Sequence, residues 1–238
     1  MKTLFVIILF LLSFTGKSFA QYDSIALAVL DSMSSQIGDL ETCSYSFYTE
    51  YDIPNKEYGL ITHSETGDVF LKGPDKMFIE KKGDKGHKEF YFDGKTFLLY
   101  SFDRNQYATM PATMSIMGLI DSLSSYFGVE FPGADIFYPD FVDNLLETSD
   151  NLLYLGFTFV GNTECHHIAG TRDDMTYQIW LSLEEHPVPV KLSLVYLDRP
   201  DDPRYSIIFK DWKMNPYIDD SKFEFTIPVD AQVVKLIK

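Results

Sequence analysis

Cysteine is scarce in this chain: Cys43 and Cys165 are the whole supply in 238 residues. An even pair in an exported protein permits one bridge. Both fall inside predicted strands, where small buried thiols are common, and spacing alone leaves their pairing open. Basic residues are also few, 20 against 35 acidic ones, for a formal charge of −15. That balance excludes nucleic acid as a partner and makes anionic lipid surfaces repulsive to the chain as a whole. After the first residues, no apolar run approaches bilayer length. No Pro/Ser/Gly-rich linker and no repeat period divide the chain.

Enzyme signatures are missing as well. There is no G-x-S-x-G elbow, no H-E-x-x-H, no P-loop and no dinucleotide fingerprint, so neither catalysis nor a cofactor is expected. Cys165-His166-His167 is the most prominent cluster with metal-ligand chemistry. Adjacent strand residues point to opposite faces, so His166 parts from the other two, and no second cluster offers zinc-like spacing. Asp198-Arg199-Pro200-Asp201-Asp202-Pro203 carries carboxylates suited to calcium, but its two prolines and arginine read as a rigid solvated turn. Glu184-Glu185-His186-Pro187 reads the same way.

What is present begins with MKTLFVIILFLLSFTGKSFA. Lys2, the apolar run Leu4 to Leu12 and Ser18-Phe19-Ala20 are the three parts of a secretory signal peptide, with cleavage expected after Ala20. Removing residues 1–20 takes away two lysines and no acid, so the mature chain is more acidic still. Residues 21–238 then read as a single exported domain, soluble once cleaved and periplasmic or otherwise outside the cytoplasm.

Helical spacing governs residues 22–38, where Ile25, Val29, Leu30, Met33 and Ile37 form a stripe. The period then falls to two. Cys43, Tyr45, Phe47, Thr49 and Tyr51 share one face of a half-buried strand, opposite Ser44, Ser46, Tyr48, Glu50 and Asp52. Strands are predicted over 58–71, 76–82, 88–92, 96–102 and 106–110, with Asp93-Gly94 as the strongest hairpin signal. Helical spacing returns at Ile116, Leu119, Ile120, Leu123 and Phe127, closed by Gly128, and again around 140–147. From Leu152 alternation resumes. Leu153, Leu155, Phe157 and Phe159 form one face, followed by Tyr177 and Ile179, then Val190 to Tyr196, then Tyr205, Ile207 and Phe209. Phe223, Phe225 and Ile227 are read as a last strand.

The pattern predicts an α+β, mainly β fold: a strongly curved antiparallel sheet of about ten or eleven strands with about three helices on its concave face. One strand is peculiar. In 96–102, Phe97 and Leu99 point one way, and Leu98, Tyr100 and Phe102 the other, so both faces need cover. The outer cover expected is the preceding loop or a partner chain. Three helices are few for the inner face of such a sheet. Leaving ~400 Å² of apolar surface bare forgoes about 10 kcal/mol, comparable to a domain's net stability. Curvature relieves this by wrapping the sheet round its helices, and it can leave a cavity.

Five segments carry a family resemblance: Tyr91-Phe92-Asp93-Gly94-Lys95-Thr96 with Asn105 and Tyr107; Pro132-Gly133-Ala134-Asp135; Cys165-His166-His167-Ile168; Gln178-Ile179-Trp180 with Pro187-Val188-Pro189-Val190-Lys191; and Trp212 to Phe223 with Phe225 to Pro228. Their order resembles the LolA-like fold of periplasmic lipoprotein carriers, and within it a family of periplasmic proteins of unknown function. The resemblance implies a half-barrel whose apolar concave side is partly lidded by helices. In the carriers that side receives acyl chains, and in related sensors it detects lipids or misassembled envelope proteins. No residue here matches the carriers' lid-holding arginine. The function expected is binding of an apolar ligand, a lipid or lipidated protein, without chemistry. The alternative is an envelope interaction or sensor module without a ligand cavity. Strand alternation names the candidate lining residues: Tyr45, Phe47, Phe157, Phe159, Tyr177, Ile179, Tyr196, Ile207 and Phe209.

Overall fold

The computed structural model describes residues 21–129, 131 and 133–236. The expected leader and its cleavage position after Ala20 lie outside them. Thirteen strands form one continuous sheet. In chain order they are β1 (Gln21–Tyr22), β2 (Thr42–Asn55), β3 (Gly59–Lys72), β4 (Lys76–Gly83), β5 (Gly86–Phe92), β6 (Thr96–Ser101), β7 (Gln106–Pro111), β8 (Asn151–Val160), β9 (Thr163–Arg172), β10 (Met175–Ser182), β11 (Pro189–Tyr196), β12 (Arg204–Met214) and β13 (Gln232–Val233). Among the described residues the α-helices are α1 (Ser24–Gly38), α2 (Ile116–Phe127) and α3 (Phe141–Thr148), with a 3₁₀ turn at Ala134–Phe137 between the last two.

Two meanders, β2 to β7 and β8 to β12, meet where β12 pairs antiparallel with β2. Each outer edge receives a two-residue parallel strand: β1 on β8, and β13 on β7. The curved, open, mainly antiparallel sheet matches the fold class expected from the sequence.

Local chemistry explains the elements. Asp23 caps α1 by accepting from the Ile25 amide at 2.8 Å, and Ser115 caps α2 by accepting from the Gly118 amide at 3.2 Å. Gly128 ends α2 in the left-handed region at φ 63°. At the β5–β6 hairpin, the Asp93 carboxylate accepts from the amides of Lys95 and Thr96 at 2.9 and 2.7 Å, and Gly94 takes φ 88°.

The inner face of the sheet and the helices share one core. Ala26, Leu30, Met33 and Ile37 of α1 are buried in it, as are Leu119 and Leu123 of α2. Ile25 leaves the expected stripe: it is exposed, and Ala26 takes its place because the buried arc turns toward residues 26, 30, 33 and 37.

The doubly apolar strand has an unexpected outer cover. Inside, Phe97 joins Phe90 and Phe92 in the main core. Outside, Leu98 and Tyr100 are buried, and the cover on Tyr100 comes from the chain's own C-terminal segment. Phe225 lies 4.9 Å from the Tyr100 ring and 5.0 Å from the Tyr91 ring. Phe223 and Ile218 pack on Phe78 in a second cluster. Asn105 and β13 then tie the segment down, through Gln232 N to Asn105 O at 3.0 Å and Val234 N to Tyr107 O at 2.8 Å. The strand expected at Phe223–Ile227 is therefore replaced by a 3₁₀ turn at Asp220–Phe223 and an extended strap. Its alternating aromatics fit a cover that touches the sheet with every second side chain but pairs with no neighbour there.

Candidate functional site

The inner face is not filled throughout. Two voids, of about 340 and 510 Å³, lie between sheet and helices. The first sits over β2, β3 and β4, walled by Tyr45, Phe47, Thr49, Tyr51, Val69, Leu71, Met77 and Ile79, and roofed by Met117 and Ile120 of α2 with Phe131 and Phe137. The second lies over β10, β11 and β12, walled by Tyr177, Ile179, Leu192, Leu194 and Phe209, and roofed by Ile136, Tyr138, Phe141 and Leu145. Ile120, Phe131, Ala134, Tyr196 and Arg199 border both, so the voids meet beneath the segment that links α2 to α3.

Aromatic packing sets their shape. The Tyr45 ring stands 4.5 Å from Trp212, 5.5 Å from Phe209 and 6.0 Å from Phe137, forming a nest that joins the sheet to the 3₁₀ turn. Trp212 is fixed by donating its indole N–H to Pro189 O at 2.8 Å. Gly133, at φ 88°, lets the roof come down on Phe209, Leu192 and Ile207. Gly67 serves a close approach within the wall, where a Cβ would lie 1.8 Å from Glu80 O and 2.7 Å from the Phe47 ring.

The surroundings are dry enough to move ionisation. Burial pushes the Tyr45 phenol well above its usual value and the Cys43 thiol up to about 12. Burial, with the Glu65 charge beside it, pushes Tyr51 up to about 12. Burial also raises Asp135 on the second void's wall, against the pull of Arg172. Polar groups gather at the rim instead: Asp52, Glu65, Lys81, Arg199 and Arg204 border the first void.

Seven of the nine residues named by alternation border the voids. Tyr45, Phe47, Tyr196 and Ile207 line the first, and Tyr177, Ile179, Tyr196 and Phe209 the second. Phe157 and Phe159 line neither, and are 63% and 66% exposed. A register shift between Tyr154 and Gly156, where Gly156 adopts φ 95°, sets Phe157 on the face of Tyr154 and His166 rather than that of Leu153, but toward the β8–β9 turn, away from the residues that line the voids. The Phe157 ring contacts Tyr154 and His166 at the far end of the β8–β9 hairpin. Sequence reading missed the roof residues Met117, Phe131 and Phe137 and the β3–β4 wall, although Val69, Leu71, Met77 and Ile79 alternate clearly. It also missed Arg199 and Arg204, whose turn chemistry at positions 198–203 was legible while their place at a cavity rim was not.

The cysteines are unbridged and buried. His166 meets the Tyr154 hydroxyl at 2.9 Å, and His167 meets Gln178 at 2.9 Å while stacking on Trp180, so both histidines have structural partners. Among the described residues, Glu80, His87 and Glu89 bring one donor atom each within 4.8 Å of one another. Those atoms are already engaged by Lys82, by each other and by Tyr91, as an ion-pair network on β4 and β5.

The site is a curved, mainly antiparallel sheet whose inner face is partly filled and partly hollow beneath α2, the 3₁₀ turn and α3. The chain belongs to the family described as "Predicted periplasmic protein (DUF2092)", whose model matches residues 26–237, and it is a periplasmic protein. Among solved structures, lipoprotein LppX from Mycobacterium tuberculosis is similar at TM-score 0.51 and 15% identity, over 83% of this chain and 100% of that one. An uncharacterized conserved protein from Thermus thermophilus is similar at TM-score 0.50 and 13% identity, over 89% and 99%. A LolA superfamily protein from Nitrosomonas europaea aligns at TM-score 0.37 and 9% identity, over 84% and 97%. No curated protein matches the sequence. No helix among the described residues is long and apolar enough to cross a membrane.

Proposed function

We propose that this protein binds the acyl part of a lipid or lipidated protein between its sheet and its helices, and performs no chemistry on it. One observation carries the reading: two adjoining voids of about 340 and 510 Å³, walled mainly by aliphatic and aromatic side chains. Ligand sites commonly span ~300–1,000 Å³ with such linings. Each methylene moved from water into them contributes about 0.8 kcal/mol, so a long chain binds tightly without specific contacts. The segment from α2 to α3 is the natural gate. It roofs both voids and holds the sheet through ring contacts such as Phe131–Phe90 at 5.7 Å rather than through strand pairing.

Native mass spectrometry of protein taken from its own periplasm tests this. Co-purified lipid is expected, and Ala134→Trp, which fills the junction of the voids, should remove it while the protein stays folded. Repeatedly clean apo protein from the natural envelope would sink the reading. Phe47→Asp is a poor probe, because Phe47 belongs to the buried core and its loss unfolds the sheet.

A second reading, docking of an extended envelope protein segment, is favoured by a different feature. Among the described residues, β8 beyond the two residues covered by β1 is an open edge of uncharged sequence, and Leu155, Phe157 and Phe159 on it are exposed. If β8 docks a partner strand, Leu155→Lys with Phe157→Lys should abolish cross-linking to that partner without changing bound lipid. Unchanged cross-linking would remove this reading.

A further inference from the structure

The chain has only four arginines, Arg104, Arg172, Arg199 and Arg204. Three of them border the voids: Arg204 the first, Arg172 the second and Arg199 both. Such placement is unexpected in a protein whose formal charge is −15. Arg172 is committed to Asp174, with its Nε 2.7 Å from the carboxylate. The other two are not. Among the described residues, neither Arg199 nor Arg204 has a side-chain ion pair. The Arg199 guanidinium lies over the Tyr196 ring, 3.8 Å from its centre. Stacking of this kind fixes a guanidinium in place and leaves its N–H edge free to donate.

The acids facing the same mouth are already engaged. Asp52 accepts from the Thr62 hydroxyl at 2.6 Å and the Arg204 amide at 3.1 Å. Glu65 holds Lys81 at 2.8 Å. On the second void's wall, Asp121 accepts from the Tyr138 hydroxyl at 2.6 Å, Asp174 is held by Arg172, and Asp135 and Asp198 remain. An anion is therefore best received on the first void's side, between Arg199 and Arg204. Asp201 and Asp202 are exposed in the same connection, and neither is among the residues lining the voids.

Position gives these arginines their meaning. Arg199 and Tyr196 border both voids, so a group held there faces the first, mainly apolar chamber and the aliphatic and aromatic wall of the second at Tyr177, Ile179, Leu192, Leu194 and Phe209. We infer that the ligand is a two-chain amphiphile with an acidic head group, its phosphate-like or carboxylate head on Arg199 and Arg204 and one chain in each void. The inference rests on the apolar-ligand reading above and adds the ligand class to it. Overall negative charge sharpens the point, because a general attraction to anionic lipid is absent and any preference must come from these side chains.

The test is displacement of N-phenyl-1-naphthylamine from the exported chain by dioleoyl phosphatidate, dioleoylglycerol, oleoyl lysophosphatidate and inorganic phosphate. Two charge-assisted contacts predict that phosphatidate displaces the dye at about tenfold lower concentration than dioleoylglycerol. Lysophosphatidate, with one chain, should be weaker than phosphatidate, and inorganic phosphate should not displace the dye. Arg199→Gln with Arg204→Gln should abolish the difference between phosphatidate and dioleoylglycerol, while Arg199→Lys with Arg204→Lys should restore part of it. Equal displacement by phosphatidate and dioleoylglycerol in the native chain would overturn the head-group inference and leave the cavity reading standing. Equal strength of the one- and two-chain acids would overturn the two-chain assignment. Displacement by inorganic phosphate as strong as by phosphatidate would show an ion site and overturn the lipid class. Failure of both dioleoyl lipids to displace bound dye, or of the dye to bind, would overturn both readings.

Discussion

The two edges of this sheet are built from the same device and end in opposite states. Each receives a two-residue parallel strand. On the β7 side that strand is the last clip of a long strap, which has already covered Phe78, Tyr91 and Tyr100 with Ile218, Phe223 and Phe225. On the β8 side, β1 leads at once into α1, which turns inward to the core, and residues 153–160 keep an open edge with exposed apolar side chains. A terminal strand therefore closes an edge only as far as the chain beyond it continues along the sheet. The N-terminal segment is spent on the interior, and the C-terminal segment on the outside.

The largest way to break this contrast is to empty the covered side. Phe223 is 1% exposed, and Phe223→Ala should cost about 3–5 kcal/mol in urea unfolding. Phe157 is 63% exposed, and Phe157→Ala should change stability by less than about 0.5 kcal/mol. Similar losses at both positions would mean that the strap is not a core element. Next in size, removing residues 229–238 deletes the clip on β7. The bonds lost there, Gln232 N to Asn105 O, Val234 N to Tyr107 O and Asn105 Nδ2 to Asp230 O, lie between 2.8 and 3.2 Å. At about 1 kcal/mol net per hydrogen bond, a loss of about 2–3 kcal/mol is expected, with concentration-dependent self-association through the newly open edge. Sedimentation velocity checks it, and an unchanged monomer would show that β7 needs no clip.

The smallest effect concerns the strap's anchor. Lys72 and Lys76 hold the Asp220 carboxylate down at about 2, below its ordinary 3.8. A depressed carboxylate contributes stability that is present above its unfolded pKa and lost as pH falls through the folded one. The strap should thus loosen between about pH 4 and pH 2, seen as faster hydrogen exchange of amides around residues 218–225, while β8 shows no such step. Asp220→Asn should abolish the step. A step that persists in that variant would assign it to another group.

Comparing the edges also explains what was readable beforehand. Alternation located the inner faces of β2, β10 and β12, because side chains in an unbroken strand must alternate and one side was plainly apolar. On β8 it read Leu153, Leu155, Phe157 and Phe159 as one face, but the extra residue at Leu155 breaks that face, and Phe157 and Phe159 stand toward the hairpin turn, away from the voids. It failed again at Phe223–Ile227, where alternation was real but belonged to a strap. The doubly apolar strand correctly demanded an outer cover, yet its partner is far along the chain: Asn105 and Asp230 meet across 125 residues.

By itself the sequence determined the elements, the antiparallel sheet and the side of each regular strand that turns inward, since these follow from periodicity and turn chemistry within short windows. Only the tertiary structure decided which segment covers which face, that the helices leave two adjoining hollows, and that Arg199 and Arg204 stand at their mouth. Those outcomes depend on how residues distant along the chain share space, and no local pattern of side chains encodes a volume left empty between them.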